Sequence, residues 1–149
     1  MALDASYAGR SYPPTAPYEV GVEKIREFAT AIGDRNPAFH DRAAAAALGH
    51  PDVIAPPTFP FVLTFGASRV VIDDPELGID YSRVVHGEQR FVHARPVRAG
   101  DALATTVTIE SVRSAGGHDM VTTRSDVHAA DGQLVVTAYS TLVVRGAEG

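Results

Sequence analysis

The chain has 149 residues, no cysteine, and 13 Lys plus Arg against 18 Asp plus Glu, for a net charge of −5. A chain of this length builds one core, so residues 1–149 are read as a single domain. The missing cysteine rules out disulfides, thiolate nucleophiles and cysteine-bound zinc, and the acidic balance without a basic run argues against a nucleic-acid partner.

Met1-Ala2-Leu3-Asp4-Ala5 lacks the basic and apolar regions of a signal peptide, and no apolar run approaches the ~20 residues of a membrane span. A cytoplasmic protein with no membrane association is therefore expected. The first 17 residues, with Tyr12-Pro13-Pro14 and Ala16-Pro17, favour an extended, irregular lead-in, and Tyr18-Glu19-Val20 reads as a short edge strand.

From Val22 to Ile32 the apolar residues Val22, Ile25, Phe28, Ala29 and Ile32 recur at steps of three and four, which predicts an amphipathic helix ended by Gly33. Asp41 caps a second, alanine-rich helix over Arg42 to Leu48, closed by Gly49. Thr58 is the expected N-cap of a helix reaching about Val71, and with almost no polar face that helix must be buried on most sides. Asp73-Asp74-Pro75-Glu76 stops it, and the segment to Tyr81 reads as a mobile or interfacial loop.

Four strands follow, His86 to Arg95, Ala102 to Val112, Met120 to His128 and Leu134 to Arg145, with β-branched residues in alternation. Turn residues at Arg98-Ala99-Gly100-Asp101, Ser114-Ala115-Gly116-Gly117 and Ala130-Asp131-Gly132-Gln133 separate them, as antiparallel connections require. Helices first and an antiparallel meander after make an α+β domain. A sheet of this size leaves an edge exposed, and association with another sheet removes that liability.

The chemistry concentrates in Asp34 and His40, a carboxylate and an imidazole flanking one turn and able to exchange protons near neutral pH. The same stretch, Gly33-Asp34-Arg35-Asn36-Pro37, also has the composition of an ordinary helix-ending turn. The remaining histidines, His50, His86, His93, His118 and His128, are scattered without metal-ligand spacing, and no metal site is expected. No Gly-x-Ser-x-Gly elbow and no phosphate-binding glycine loop occurs. Arg90, Arg95 and Arg98 gather on one strand and its turn, where they either meet phosphates or pair with carboxylates.

Gly-Asp-x-Asn-Pro followed closely by His40, then a small-residue helix, then Ile54-Ala55-Pro56-Pro57-Thr58-Phe59 opening an apolar helix, resembles the MaoC-like dehydratases and (R)-specific enoyl hydratases. The closest likeness is to the MaoC dehydratase N-terminal domain branch, which holds the A and C subunits of the mycobacterial (3R)-hydroxyacyl-ACP dehydratases. Gly87-Glu88-Gln89-Arg90-Phe91 and the run Arg95 to Asp101 fit the same branch.

The resemblance implies a hot-dog fold, an antiparallel sheet wrapped around a long apolar central helix. It implies that Asp34 and His40 activate one water across a 2-enoyl thioester, or remove water from a (3R)-hydroxyacyl thioester, with Asn36 holding the loop. It implies no cofactor, a substrate carried as an acyl-CoA or acyl-ACP thioester, and a homodimer or a heterodimer with a second hot-dog subunit. A non-catalytic acyl-chain-binding subunit of a heterodimeric dehydratase and a hot-dog thioesterase are the alternatives.

Two departures from the family pattern stand out. Ala38-Phe39 separates Pro37 from His40 where a single residue is usual, and Pro56-Pro57 replaces the His-Gly whose glycine N–H polarises the thioester carbonyl. Pro57 has no N–H, so the carbonyl-facing donor is expected from Thr58 or Phe59.

Overall fold

Four long strands and one short one make the sheet, with the helices laid across its concave face. The computed structural model describes residues 2–146. In chain order the elements are β1 (Tyr18–Glu19), α1 (Val22–Ala31), α2 (Arg42–Ala47), α3 (Phe61–Ala67), α4 (Arg69–Ile72), β2 (Val84–His93), β3 (Ala102–Ala115), β4 (His118–Ala129) and β5 (Leu134–Val144). The strand order is β1-β3-β4-β5-β2, and every pairing is antiparallel. Among the described residues no helix is long and apolar enough to cross a membrane.

Period-two patterning explains the sheet. In β3, Leu103, Thr105, Val107 and Ile109 are buried while Ala102, Ala104, Thr106 and Thr108 are only partly covered, as alternation places successive side chains on opposite faces. The β3–β4 hairpin turns on Gly116 and Gly117 alone, at φ 60° and 80°. Two successive positive φ angles define the hairpin turn whose twist matches that of the strands, and glycine reaches them without steric cost.

The core divides into two apolar clusters along the concave face. One joins Ile25 and Ala29 of α1 to Phe59, Leu103, Val127 and Val136. The other joins Ala67 and Val71 to Val107, Ile109, Val112 and Val121. The candidate site lies over the first.

The central helix differs from its expectation. It is split into α3 and α4, is capped by Pro60 without a side-chain bond, and does not start on Thr58. The Ser68 hydroxyl donates to the Phe65 carbonyl at 2.8 Å, a backbone bond of the kind that bends helices, and Val71 N–H then bonds Ser68 rather than the residue four back. Leu63, Thr64, Ala67, Val71 and Ile72 are buried, yet Phe65 and Val70 are 46% and 40% exposed. The sheet covers one side of this helix and leaves the other bare.

The two sheet edges are treated differently. Along β3 the lead-in runs as an irregular border, with Gly9, Tyr12 and Thr15 N–H groups bonded to the carbonyls of Ile109, Val107 and Thr105 at 2.7–2.9 Å. Pro13 and Pro14 carry no N–H, so a regular ladder cannot form there. The outer edge of β2, in contrast, pairs with no other strand among the described residues.

The segment after α4 is pinned, contrary to the mobile loop that is one of the two expectations from its composition. Asp74 accepts from Arg10 Nη1 at 2.9 Å and from the Tyr12 hydroxyl at 2.7 Å, and Glu76 accepts from Arg10 Nη2 at 2.7 Å. Leu77 is buried in the second cluster. The Tyr12 bond, with help from Arg10, holds the Asp74 carboxyl below its ordinary range. A depressed carboxylate contributes stability that is present above its unfolded pKa and is lost as pH falls through the folded one.

Burial first, and then Asp74, push the Tyr12 phenol up to about 12. Its contribution to stability is therefore complete below the ordinary tyrosine value and disappears as pH rises through about 12. Ultraviolet titration is expected to show one phenolate appearing about two pH units after an ordinary tyrosine near 10, and Tyr12→Phe removes that late step. An unchanged titration in the variant would refute the assignment.

Candidate functional site

The turn carrying Asp34 and His40 is built by successive backbone satisfactions. Gly33, at φ 74°, ends α1 in a left-handed cap, with its N–H on the Thr30 carbonyl at 3.1 Å and the Asp34 N–H on the Ala29 carbonyl at 2.9 Å. Asp34 Oδ1 then accepts the Asn36 N–H at 3.0 Å, and Asn36 Oδ1 accepts the Ala38 N–H at 3.1 Å. Asn36 thereby caps the 3-10 turn Pro37–Phe39.

That turn absorbs the residue by which His40 comes late. Ala38 and Phe39 are 1% and 6% exposed, wound into the core, and the chain brings the imidazole back to the start of the loop. His40 Nε2 lies 3.0 Å from the Asp34 main-chain carbonyl oxygen. A carbonyl only accepts, so Nε2 carries the hydrogen and, in the neutral ring, Nδ1 keeps its lone pair. Arg26 Nε donates to the His40 carbonyl at 2.9 Å and ties the imidazole's backbone to α1.

Both side chains are partly exposed. No direct hydrogen bond joins the Asp34 carboxylate to the imidazole among the described residues; the link runs through the Asp34 backbone. A carboxylate and an imidazole nitrogen held on one rigid turn can share a water and move its protons.

Gly33→Ala tests that rigidity. No heavy atom lies within 4 Å of an added Cβ, so the cost is purely the left-handed backbone, about 1–2 kcal/mol. Urea unfolding is expected to show that loss, and an unchanged midpoint would count against it.

The second part of the site is Pro56-Pro57-Thr58-Phe59. The Phe59 N–H is taken by the Pro56 carbonyl at 2.9 Å, and the Phe59 side chain is fully buried, its ring edge-on to Phe28 at 5.5 Å and 80°. Phe59 therefore supports the turn from beneath and offers no donor. The Thr58 N–H has no acceptor among the described residues, and Thr58 is exposed. Of the two donors expected in place of the missing glycine, only Thr58 is available.

A cleft of about 460 Å³ opens beside these turns, lined by Phe39, Ile54, Pro57 and Pro96 with Asn36, His93 and Arg95 as polar groups. Its size falls in the range of small-ligand sites. Asn36 and Pro57 line it; Asp34 and His40 are not part of its wall.

The three arginines have separate roles. Arg95 is bidentate to Asp101, with both contacts at 2.9 Å and side chains 15% and 8% exposed. Asp101 also accepts the Arg98 N–H at 2.9 Å. The Arg90 guanidinium lies 4.1 Å from the Tyr139 ring centroid. Arg95 thus pairs with a carboxylate and Arg90 stacks, and neither the Arg90 nor the Arg98 side chain has a hydrogen-bond partner among the described residues.

Sequence reasoning passed over His93. Its Nε2 lies 2.8 Å from the Pro57 carbonyl oxygen, and its ring is 6.3 Å from that of Phe91. The available signal was position: His93 shares a strand face with Phe91 and ends β2, but nothing local joins it to a turn 36 residues earlier.

A family model described as the FAS1-like dehydratase domain region matches residues 6–138. A UPF0336 protein of Streptomyces coelicolor is 65% identical over 148 residues, 99% of each chain. Among solved structures, the C-terminally truncated HadBC (3R-hydroxyacyl-ACP dehydratase) complex from Mycobacterium tuberculosis is 38% identical, covering 92% of this chain and 96% of that one, with a TM-score of 0.83. A MaoC-like dehydratase is 34% identical with a TM-score of 0.89 over 95% of this chain, and this chain spans 43% of its length.

Proposed function

The chain belongs to the MaoC-like dehydratase family, with the hot-dog fold and the FAS1-like dehydratase region of that family, and we propose that it is an (R)-specific enoyl-thioester hydratase or (3R)-hydroxyacyl-thioester dehydratase of fatty acid or polyketide metabolism. The observation that carries this reading is the Asp34–Asn36–His40 turn, in which a carboxylate that accepts the Asn36 N–H through Oδ1 and an imidazole whose Nε2 is held by the Asp34 carbonyl share one loop beside a mainly apolar cleft. In hydration, one of the pair takes a proton from water as its oxygen adds to C3, and the other delivers a proton to C2; dehydration runs the same steps backwards. Negative charge accumulates on the thioester oxygen between them, and the Thr58 N–H, which has no acceptor among the described residues, is the donor this reading assigns to it. The reading calls for no cofactor, since the substrate arrives activated as a thioester of coenzyme A or acyl carrier protein.

The unpaired β2 edge and the bare flank of α3 support a second hot-dog subunit beside β2, identical or different. The HadBC structure is itself described as a complex.

Purified protein, alone and with the product of a neighbouring dehydratase gene, is expected to bleach the enoyl-thioester absorbance of crotonyl-CoA or a longer enoyl-CoA. Bleaching that needs a partner and survives Asp34→Asn with His40→Ala would instead make this chain an acyl-binding subunit. Release of free thiol from acyl-CoA would make it a thioesterase.

A further inference from the structure

We propose that His93 is a positioning residue for carbonyl polarisation, acting through the Pro57–Thr58 peptide. This rests on the hydratase reading of the site. Three of the five residues from Pro56 to Pro60 are prolines and carry no N–H, and the Phe59 N–H is taken by the Pro56 carbonyl at 2.9 Å. The Thr58 amide is what remains to meet a developing oxyanion.

That amide shares its peptide with the Pro57 carbonyl, the group to which His93 Nε2–H donates at 2.8 Å. There is no cis peptide bond in the described chain, so the carbonyl and the N–H of this unit point in opposite directions across a rigid plane. Fixing the oxygen therefore fixes the direction of the N–H. A hydrogen bond accepted by the oxygen also polarises the unit and strengthens its donor end, by roughly 10–30% per bond in condensed phase.

His93 is suited to the task because it is itself held. It ends β2, pairs in register with Val136 of β5, and its ring lies against Phe91. It flanks the same cleft as Pro57 and Asn36, so the latch borders one space with the residue that holds the acid–base turn. A strand residue thus braces a loop that three prolines have stripped of donors.

The test uses the full chain, with its partner subunit where activity requires one, and three proteins: wild type, His93→Phe and His93→Gln. Phe keeps the ring and its stacking but has no donor; the Gln side-chain amide places an N–H near the position of Nε2. His93→Phe is expected to lower kcat for crotonyl-CoA hydration roughly 10- to 100-fold, with KM within about twofold, because the lost interaction belongs to the transition state. His93→Gln is expected to recover most of that loss. A merely structural latch would move stability without this split.

An activity-independent readout accompanies it: the Thr58 amide cross-peak in the substrate-free protein, expected to move upfield in His93→Phe and to return in His93→Gln. A wild-type kcat in a folded His93→Phe protein, or an unmoved Thr58 cross-peak, overturns the proposal. If the wild type hydrates no enoyl thioester with or without a partner, the hydratase reading fails on its own, and the cross-peak alone then decides the His93–Thr58 coupling.

Discussion

Asp34→Asn is expected to lower kcat for crotonyl-CoA hydration by about three orders of magnitude, within the 10²- to 10⁴-fold that a positioned acid or base contributes. The amide keeps the Oδ1 that accepts the Asn36 N–H at 3.0 Å, so the loop stays folded and the loss reports proton transfer. His40→Ala is expected to fall as far for a different reason. It removes the Nδ1 lone pair together with the Nε2–H that bonds the Asp34 carbonyl at 3.0 Å.

The double variant is expected to lose little more than either single one, because two groups that share one water act as a unit. Stopped-flow absorbance at the enoyl band checks all three, with thermal melts confirming the fold. Full activity in Asp34→Asn would remove this turn from the chemistry.

Arg95→Met is the substitution expected to damage stability most. It leaves the Asp101 carboxylate, 8% exposed, without the bidentate guanidinium that now neutralises it at 2.9 Å. Removing one partner of a buried ion pair costs about 3–5 kcal/mol, since the other charge stays desolvated. At about 2–4 °C per kcal/mol for a chain of this size, Tm is expected to fall by roughly 6–20 °C.

Adding Asp101→Asn is expected to restore part of the loss: the amide removes the stranded charge and still accepts the Arg98 N–H now held at 2.9 Å. Differential scanning calorimetry of the single and double variants measures the recovery. No recovery would mean that the damage is loss of packing along the Arg95 stem rather than an orphaned charge. The hydrogen bond from Arg95 Nη1 to the Pro96 carbonyl, 2.9 Å long, links the pair to a residue of the cleft wall, so the cleft is expected to loosen with it.

Sequence alone determined whatever is governed by neighbours a few residues apart. Alternation in β3, the three-and-four spacing of α1, the Asp41 cap of α2 and the Gly116-Gly117 turn all stand in the structure as the pattern dictates, because pleat, helical repeat and backbone freedom act over one or two turns of chain. The Asp34–His40 turn was legible for the same reason, its caps and its imidazole bond spanning at most six residues.

Tertiary structure decided the rest. The bare flank of α3 and α4 depends on how far a curved sheet reaches, which hydrophobicity along one helix does not encode. The pinning of Asp74 joins residues 62 and 64 apart, and the His93 latch joins residues 36 apart. A composition rich in charge and turn residues reads the same whether its carboxylate is solvated or held by a distant arginine. Only the packing of the sheet sets which of these distant partners arrive.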